Sequence, residues 1–413
     1  MKRNVLLGVV AFLAASAFGA DCPRFRGPAG DGCFPETGLL RQWPQGGPAP
    51  AWSAKGLGPG YSSAVVVGGT VYVTGMDGQD QGILFAFDAD GKEKYRISYG
   101  PEFVRSGPAP TGTRGTAAID GDRAYVINGF GVLVMIDLAA KEVVRTVDLV
   151  MQFNGAKAQF GFAECALVAG DKVVCTPGGP DASLVALDKK TSRTVWKTQG
   201  LSEPSNYCSA RLIMHGGKEM ILTAVGKSTV GVDSATGKVL WVYDNLSGDG
   251  RMSPTQANPP LYADGMVFAC AGMRAGGTMI ELTEDASGAT PKWTDKTLDC
   301  QIHGTVLVDG CIYGTAQSGN AGLVCLEWKT GKVMWQAGLV KQAAVVTADG
   351  MLYLYGQDGV VRLVKPNPAA FEPVGEFTVT EGTDQHWAHP TIANGRLYIR
   401  HGDALMAYDV KPG

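Results

Sequence analysis

Short apolar strands alternate with tight polar turns along almost the whole chain. Runs such as "VYV" at 71–73 and "LYI" at 397–399 follow a two-residue turn, and apolar runs such as "LVALD" at 184–188 recur farther along each copy. Asp-Gly and Asn-Gly between such runs favour a β-hairpin, because these residues tolerate positive φ. The first turns of the eight copies lie at Gly68-Gly69, Asp120-Gly121, Ala169-Gly170, Gly216-Gly217, Asp264-Gly265, Asp309-Gly310, Asp349-Gly350 and Asn394-Gly395.

The spacing of these turns indicates the architecture. Consecutive turns are 40 to 52 residues apart, and each interval has room for four short strands. Four strands in about 45 residues is the period of a β-propeller blade. We therefore predict an all-β protein, an eight-bladed β-propeller of four-stranded antiparallel blades.

The copies that best preserve the pattern end with a D-x-x-T-G type of turn, which is followed by a strand ending in tryptophan. In "VDSATGKVLW" Asp233 lies eight residues before Trp241, and "LDKKTSRTVW" repeats that spacing. The acidic side chain can bond turn amides, and a large apolar ring suits packing between blades. We predict this structural, inter-blade role for Trp52, Trp196, Trp241, Trp293 and Trp335. In the decayed copies Tyr95, Phe377 and Arg145 take the place of the tryptophan.

The last copy ends after "LMAYD" without a tryptophan-bearing strand. Residues 49–58, "APAWSAKGLG", stand alone before the first copy and resemble the missing strand, with Trp52 in the usual place. We therefore expect an N-terminal strand around Trp52 to close the ring, which removes the free sheet edges that promote aggregation.

The N-terminus has a different composition from the repeats. Residues 1–19 combine Lys2 and Arg3 with an apolar run and small residues, the pattern of a cleaved secretory signal peptide. The alternative, an uncleaved anchor, is disfavoured because the run is shorter than the roughly 20 residues of a membrane span. We expect an extension over 20–48, the propeller over 49–413, no membrane span after signal removal, and a monomer in the periplasm or outside the cell.

Charge excludes one class of partner, and the cysteines suggest cross-links. The 413 residues carry a formal net charge of −3, so nothing indicates a nucleic-acid partner. Of nine cysteines, Cys22 and Cys33 flank one short Gly- and Pro-rich loop, and we predict a disulfide between them. Cys165 and Cys175 flank a turn and form a weaker candidate pair. The remaining five (Cys208, Cys270, Cys300, Cys311 and Cys325) are left unassigned, since cysteine is also a small buried hydrophobe.

The A-x-D-x-x-T-G-x-x-W signature resembles that of the pyrroloquinoline-quinone-type (PQQ-like) propellers, which include quinoprotein alcohol dehydrogenases and BamB-type outer-membrane assembly factors. The opening "FRGPAGDG", "ETGLL" and "GLGPGYSS" is similar to secreted PQQ-like repeat proteins. The resemblance covers nearly the whole mature chain and is specific for the fold. For an enzyme of this kind it implies PQQ, calcium held by carboxylates and an amide, a catalytic aspartate and two adjacent cysteines. No two cysteines are adjacent here.

Polar and aromatic residues precede the first strand of several copies. In a propeller these positions ring one mouth of the central channel, the usual binding face. The mouth set comprises Tyr61, Arg114, Glu164, Asn206, Gln256, Asn258, His303, His386, Trp387 and His389. Three of them, His303, His386 and His389, are also candidate metal ligands; the alternative is that they line a wet channel or bond neighbouring carbonyls.

Two functions from different classes remain open. The first is an exported, non-catalytic binding or scaffold module for a protein or polysaccharide-type ligand at the mouth. It is favoured because the repeats are intact while no catalytic residue or confident cofactor site can be assigned. The alternative is a PQQ- or metal-dependent oxidoreductase that uses the same mouth, with PQQ and calcium as its cofactors.

Overall fold

The computed structural model describes residues 20–104, 111–156, 159–244, 255–319 and 322–412. The predicted signal peptide therefore lies outside the described residues. Two strands precede the first blade: β1 (Cys33–Phe34) and β2 (Ala49–Lys55). With the remaining strands they form eight sheets, of which seven have four strands and one has five, because β1 adds a parallel strand to the inner edge of blade 7.

Blades 1 to 4 follow in chain order. Blade 1 is β3 (Val65–Val67), β4 (Thr70–Met76), β5 (Gln81–Phe87) and β6 (Glu93–Pro101). Blade 2 is β7 (Ala118–Asp120), β8 (Arg123–Ile127), β9 (Val132–Asp137) and β10 (Glu142–Asp148). Blade 3 is β11 (Leu167–Ala169), β12 (Lys172–Cys175), β13 (Val185–Asp188) and β14 (Thr194–Lys197). Blade 4 is β15 (Arg211–His215), β16 (Lys218–Val225), β17 (Ser228–Asp233) and β18 (Val239–Asp244).

Blades 5 to 8 complete the ring. Blade 5 is β19 (Leu261–Ala263), β20 (Met266–Ala271), β21 (Gly276–Leu282) and β22 (Ala289–Asp295). Blade 6 is β23 (Thr305–Val308), β24 (Cys311–Thr315), β25 (Leu323–Glu327) and β26 (Val333–Ala337). Blade 7 is β27 (Ala343–Ala348), β28 (Met351–Gly356), β29 (Val360–Lys365) and β30 (Glu372–Thr378). Blade 8 is β31 (Thr391–Ala393), β32 (Arg396–His401) and β33 (Ala404–Asp409), with β2 as its outer strand.

The predicted eight-bladed, four-stranded architecture is confirmed. First strands of neighbouring blades contact each other, as β3 does β7 and β23 does β27, so they lie innermost and surround the channel. The turns between first and second strands have the predicted backbone: Asp309 and Gly310 have φ of 48° and 75°. Positive φ at both positions defines the tight I′ turn that matches the twist of the paired strands.

Helix is nearly absent from the described part of the chain. The short helix α1 (Leu149–Phe153) links blades 2 and 3, and the Asp148 side chain caps it by accepting from the Met151 N–H at 2.9 Å. Among the described residues, no helix has the length and apolar character that crossing a bilayer requires.

The N-terminal strand closes the ring as predicted. Strand β2 pairs antiparallel with β33, and a register shift between Pro50 and Trp52 places Trp52 opposite Ala407. Its ring is half-buried and lies 6.1 Å from that of Phe87 in blade 1 and 5.9 Å from that of Tyr398 in blade 8. The first and last strands of the propeller are thus neighbours in one sheet.

The other tryptophans of the blade signature occupy equivalent positions in the fourth strands of their blades. Each faces the third strand at a register shift, and most contact the third-to-fourth-strand turn of the next blade. Trp196 donates to the Ser234 carbonyl at 3.1 Å, and a Cβ on Gly237 would lie 2.5 Å from its ring. Contact of this kind explains why the signature pairs tryptophan with a glycine turn. The tryptophans with a carbonyl acceptor in the next blade are Trp52, Trp196, Trp293 and Trp335, whereas the Trp241 Nε1 has no partner among the described residues.

Blade 7 departs from the prediction that Phe377 takes the tryptophan's place. Opposite Leu363, where the other blades have their large residue, the structure has Gly375. Trp43 of the extension covers this glycine, and its ring lies 6.0 Å from that of Tyr353 and 5.5 Å from that of Phe377. A tryptophan distant in sequence therefore supplies the missing ring.

The extension over 20–48 is built into the ring. After β1 it crosses the turns on the face opposite the mouth, where the Glu36 carboxylate accepts from the Asn394 and Gly395 N–H groups at 2.9 and 3.0 Å. The Leu39 N–H then donates to Asp349 Oδ2 at 2.9 Å. These contacts fix the chain before it reaches the outer side of blade 7 and pairs in blade 8.

The predicted disulfide between Cys22 and Cys33 is not formed, and all nine cysteines are free thiols. The reason is that the loop between them spans different blades: Cys22 exchanges backbone hydrogen bonds with Val66 in blade 1, whereas Cys33 pairs with Thr347 in blade 7. The weaker pair also fails. The register Leu167–Val174 places Ala166, not Cys165, opposite Cys175.

Candidate functional site

The first residues of the extension fill the central channel. Arg26, only 2% exposed, donates to the carbonyls of Thr305 in blade 6 (2.7 Å) and Val345 in blade 7 (3.1 Å). It also donates to His389 Nδ1 at 2.9 Å, just before blade 8. Burial lowers its pKa to about 10, which still leaves the guanidinium charged at neutral pH.

The same segment reaches the opposite side of the ring. Arg24 donates to the Ala210 carbonyl ahead of blade 4, and Asp31 forms a 3.0 Å ion pair with Arg211 at the start of that blade. A charged plug, residues 24–31, therefore ties several blades together through main-chain carbonyls, His389 and one ion pair, while the buried Arg24 Nε has no partner among the described residues. Because the plug occupies the channel, a molecule arriving at the mouth meets a floor.

A cavity of about 260 Å³ lies on that floor at the mouth. Its walls are mainly apolar, and their polar members include Arg114, Gln301 and His389. Aromatic side chains come from the plug and from connections leading into blades 1, 3, 4 and 8. They are Phe25, Tyr61, Phe160, Tyr207 and Trp387. The sequence places these rings far apart, and the closed ring of blades brings them together.

Aromatic rings and one cation contact one another around the cavity. The ring centroids of Tyr61 and Trp387 are 5.1 Å apart. The Arg114 guanidinium lies 5.1 Å from the centre of the Tyr61 ring and 5.9 Å from that of Phe160, within the range of cation–π attraction. Burial raises the pKa of Tyr61 to about 12, so its phenol is neutral. Its hydroxyl and the Trp387 Nε1 are buried in the wall without a hydrogen-bond partner in the described part of the chain.

Four members of the predicted mouth set line this cavity: Tyr61, Arg114, Trp387 and His389. The other six support the surrounding loops instead. Asn258 donates to the Cys300 carbonyl at 2.7 Å and accepts from the Gly304 N–H at 2.7 Å, and Asn206 donates to the Gly226 carbonyl at 2.5 Å. Gln256 accepts from the Thr229 hydroxyl at 3.4 Å. The remaining three are Glu164, His303 and His386.

Carboxylates at the mouth face follow one structural rule that the sequence pattern did not reveal. In four blades the connection leading into the blade carries a carboxylate that accepts main-chain N–H groups from the loop between the second and third strands. Glu164 shows it for blade 3, where Oε1 accepts from the Thr176 N–H at 2.8 Å. The others are Glu102 with Gly129, Glu203 with Lys227, and Asp299 with Gln317 and Ser318. Among the described residues that line the cavity there is no carboxylate.

Comparison with known proteins agrees with this architecture. The sequence profile of the family described as outer membrane protein assembly factor BamB matches residues 80–337, more than half of the 413-residue chain. The chain belongs to the BamB family. The resemblance inferred from the blade signature is thereby confirmed. No curated protein sequence matches the chain.

Several solved structures share the fold of this BamB-family propeller. BamB from Moraxella catarrhalis superposes with a TM-score of 0.65 at 16% identity, covering 88% of this chain and 99% of that one. A quinohemoprotein alcohol dehydrogenase from Comamonas testosteroni gives 0.71 at 14% identity, with 95% and 81% covered. A europium-containing methanol dehydrogenase gives 0.60 at 14% identity, with 86% and 85% covered. At these identities the likeness is one of fold alone.

The cavity of this BamB-family chain does not fit the calcium that the quinoprotein resemblance implies. Calcium takes six to eight oxygen ligands, carboxylates foremost. The buried mouth carboxyl of Glu164 accepts a loop N–H, and burial raises its pKa to about 7. Glu164 therefore stabilises a loop of its own blade. The described lining offers aromatic faces, amides and a guanidinium in place of an oxygen cage.

The three histidines do not form a metal site either. His389 is held as the neutral Nε2–H tautomer, since Nδ1 accepts from Arg26 and Nε2 donates to the Ile302 carbonyl at 2.8 Å. His303 accepts from Gln357 Nε2 at 3.1 Å, and burial lowers its pKa to about 4. His386 stacks on His401 at 3.8 Å between ring centroids. No cluster of metal-ligating side chains occurs within the described ranges.

Proposed function

We propose that this BamB-family propeller is a non-catalytic binding module that holds a protein ligand on its mouth face. One observation carries the proposal: half of the ten large apolar side chains that are exposed in the described ranges lie on the mouth face, which also holds the aromatic cavity. In each blade the chain runs away from the mouth along the first and third strands. The connections between blades and the loops between second and third strands therefore share the mouth face.

Five of the large apolar residues that are exposed in the described ranges lie in these segments. Met151 is 82% exposed on α1, and Leu339, 89% exposed, lies between blades 6 and 7. Val104, Phe130 and Phe160 complete the set on the side of blades 1 to 3. Apolar side chains exposed around one concave site mark a protein-interaction surface better than scattered ones do.

The cavity supplies the anchor point of this surface. Phe160 lies at its edge, and the Phe103 and Phe130 rings meet edge to face 5.7 Å apart on the adjoining rim. Interfaces obtain most of their binding energy from a few bulky residues that fill desolvated pockets. We therefore infer that a bulky apolar side chain of the ligand enters the cavity and packs against Trp387 and Tyr61.

A protein fits these walls better than a polysaccharide does. A sugar chain brings many hydroxyl groups, each of which loses water on burial and needs a hydrogen bond in return. The cavity walls are mainly apolar, so few such bonds are on offer. The family description, outer membrane protein assembly factor, supports both a protein ligand and a place in the cell envelope, reached through the signal pattern of residues 1–19.

Site-specific photo-crosslinking in producing cells tests the proposal. A photoreactive amino acid at Met151 or Leu339 should give protein adducts, whereas the same residue at Met214, 58% exposed near the end of β15 that points away from the mouth, should give none. Equal adducts from Met214, or none from the mouth positions, would contradict the proposal. Purified protein incubated with PQQ and calcium should show neither a bound chromophore nor dye-linked alcohol oxidation; both together would favour the oxidoreductase.

A further inference from the structure

We propose that a second, amide-lined cavity on the mouth face binds the main chain of the same protein ligand, next to the apolar anchor. This inference rests on the proposed function and extends it to the form of the ligand: an extended peptide with a bulky apolar side chain at one end of the bound segment. The cavity lies where blades 6 and 7 meet and has a volume of about 360 Å³.

Three glutamines define the chemistry of the second cavity: Gln317, Gln342 and Gln357. The Gln342 side chain donates to the Gln317 carbonyl at 3.3 Å, and its oxygen lies 3.4 Å from Gln357 Nε2. The Gln357 side chain also donates to His303 at 3.1 Å, and the Gln357 main-chain N–H donates to the Gln342 carbonyl at 2.8 Å. The amides are thus held in place before any ligand arrives.

These side-chain amides still have a hydrogen-bond donor and an acceptor to offer a ligand. A primary amide has two donor hydrogens and an oxygen with two lone pairs. One Gln342 N–H and the Gln357 Oε1 have no partner within the described ranges, and Lys341 also lines the cavity. A donor beside an acceptor is the complement of a peptide group, which presents one N–H and one C=O.

The two cavities share a wall. Gln301 lines the aromatic cavity and Gln317 the amide cavity, and Gln317 Nε2 donates to Gln301 Oε1 at 2.7 Å. Gln317 Oε1 accepts from the Met273 N–H at 2.7 Å, which holds this wall rigid. A ligand that leaves the aromatic cavity across this wall reaches the glutamines without crossing another blade.

The rim of the second cavity indicates a polypeptide in preference to a sugar chain. Leu339, 89% exposed, stands between the lining residues Gly338 and Val340. The surface there alternates polar amides with an apolar side chain, as an extended peptide does. A polysaccharide would satisfy the glutamines and leave the leucine and the aromatic cavity without matching groups.

Peptides of graded length test the inference on the full-length protein. Binding of acetyl-phenylalanine amide, followed by NMR, measures the aromatic anchor alone. Extending it by one to four glycines, at either end, lets the main chain reach the second cavity, since each residue spans at most about 3.5 Å. We expect an optimum length that binds about tenfold tighter, the gain of roughly one or two hydrogen bonds. It should also shift the side-chain amide signals of Gln342 and Gln357.

A matched pair of variants tests whether the tighter binding of the longer peptide comes from the second cavity. Gln342→Ala should remove the tenfold gain without changing the binding of acetyl-phenylalanine amide, whereas Gln79→Ala, an exposed glutamine on the mouth face of blade 1, should leave both unchanged. If no length improves binding, the second cavity is not a peptide site, while the anchor stands. Shifts at Gln342 and Gln357 on adding maltotriose but not the peptides would also overturn it. If acetyl-phenylalanine amide itself does not bind, the anchor and this inference both fall.

Discussion

The Trp52 indole donates a hydrogen bond to the Ala89 carbonyl at 2.9 Å and so joins the outer strand of blade 8 to a turn of blade 1. The same ring packs against Gly91 of that turn, where a Cβ would lie 2.4 Å away. Without β2, the edge of β33 would be left unpaired in blade 8. This contact is therefore where closure can be tested.

Replacing Trp52 with alanine should loosen the closure. Full burial of a tryptophan is worth about 3 to 5 kcal/mol on truncation; Trp52 is only half-buried, so we expect a loss of about 2 kcal/mol in the free energy of unfolding. Trp52→Phe, which keeps a ring and loses the indole N–H, should lose less. Urea unfolding measures both, and an unchanged midpoint for Trp52→Ala would show that the Trp52 ring contributes nothing to closure.

Gly375→Ala should be destabilising because Trp43 leaves no room for a side chain. A Cβ at this position would lie 2.6 Å from the Cβ of Trp43, whose backbone is fixed by a 3.2 Å bond to the Val374 carbonyl. Overpacking of this kind costs about 1 to 3 kcal/mol. Gly78→Ala is the control, since nothing lies within 4 Å of a Cβ there. Equal melting temperatures for the two variants would contradict the packing role of Trp43.

Features set by local, repeated signals were predictable from the sequence. The Asp309-Gly310 turn has a backbone preference of its own, and Trp52 stands in a strand that repeats the pattern of the fourth strands of blades 3 to 6. Period and turn chemistry therefore gave the blade number and the closure. Four cavity residues, such as Trp387, followed from the rule that residues before first strands ring the mouth.

What the sequence did not reveal depends on contacts between distant segments. Phe25 and Trp43 lie in the N-terminal extension, which has no repeating sequence pattern. No local sequence feature therefore indicated that Phe25 would line the cavity and Trp43 would cover Gly375. Glu164 was assigned to the mouth by position, but its carboxylate bonds a loop of its own blade. The prediction of a Cys22–Cys33 disulfide was wrong for a related reason. The short sequence distance between the two cysteines gave no information about which blade each cysteine joins.

Buried His303 should make the protein less stable in acid. Burial lowers its pKa to about 4 in the folded protein, whereas it is about 6.5 in the unfolded chain. Between these values the unfolded chain binds a proton that the folded protein does not, so the free energy of unfolding falls by about 1.4 kcal/mol per pH unit as pH drops. His303→Gln, which can still accept from Gln357, should show a shallower slope in urea unfolding from pH 7 to 4.5. An identical slope would mean that His303 titrates in the folded protein as it does in the unfolded chain.

Glu164 should act in the opposite direction. Its folded-state pKa is about 7 against an ordinary 4.5, so the folded protein keeps a proton that the unfolded chain releases as pH rises through this window. The wild-type free energy of unfolding should therefore decline from pH 4.5 to 7 relative to Glu164→Gln, whose amide oxygen can still accept from Thr176. The variant should be more stable by roughly 3 kcal/mol at pH 8 and nearly equal at pH 4.5. A difference that does not change with pH would exclude a buried neutral carboxyl.

Filling the aromatic cavity should abolish the anchor while leaving the fold intact. Ala257 lines the cavity and is partly exposed, so the indole of Ala257→Trp can enter the empty volume of about 260 Å³ in place of a ligand side chain. Acetyl-phenylalanine amide should then fail to bind, and crosslinking from Met151 and Leu339 should weaken. Ala140→Trp, which adds the same indole to an exposed turn of blade 2, controls for the extra ring. Because no wall contact is removed, the melting temperature should stay within a few degrees of the wild type. If the peptide amide binds the filled variant as tightly as the control, its site lies outside the cavity, and the assignment of Trp387 and Tyr61 to the anchor is wrong.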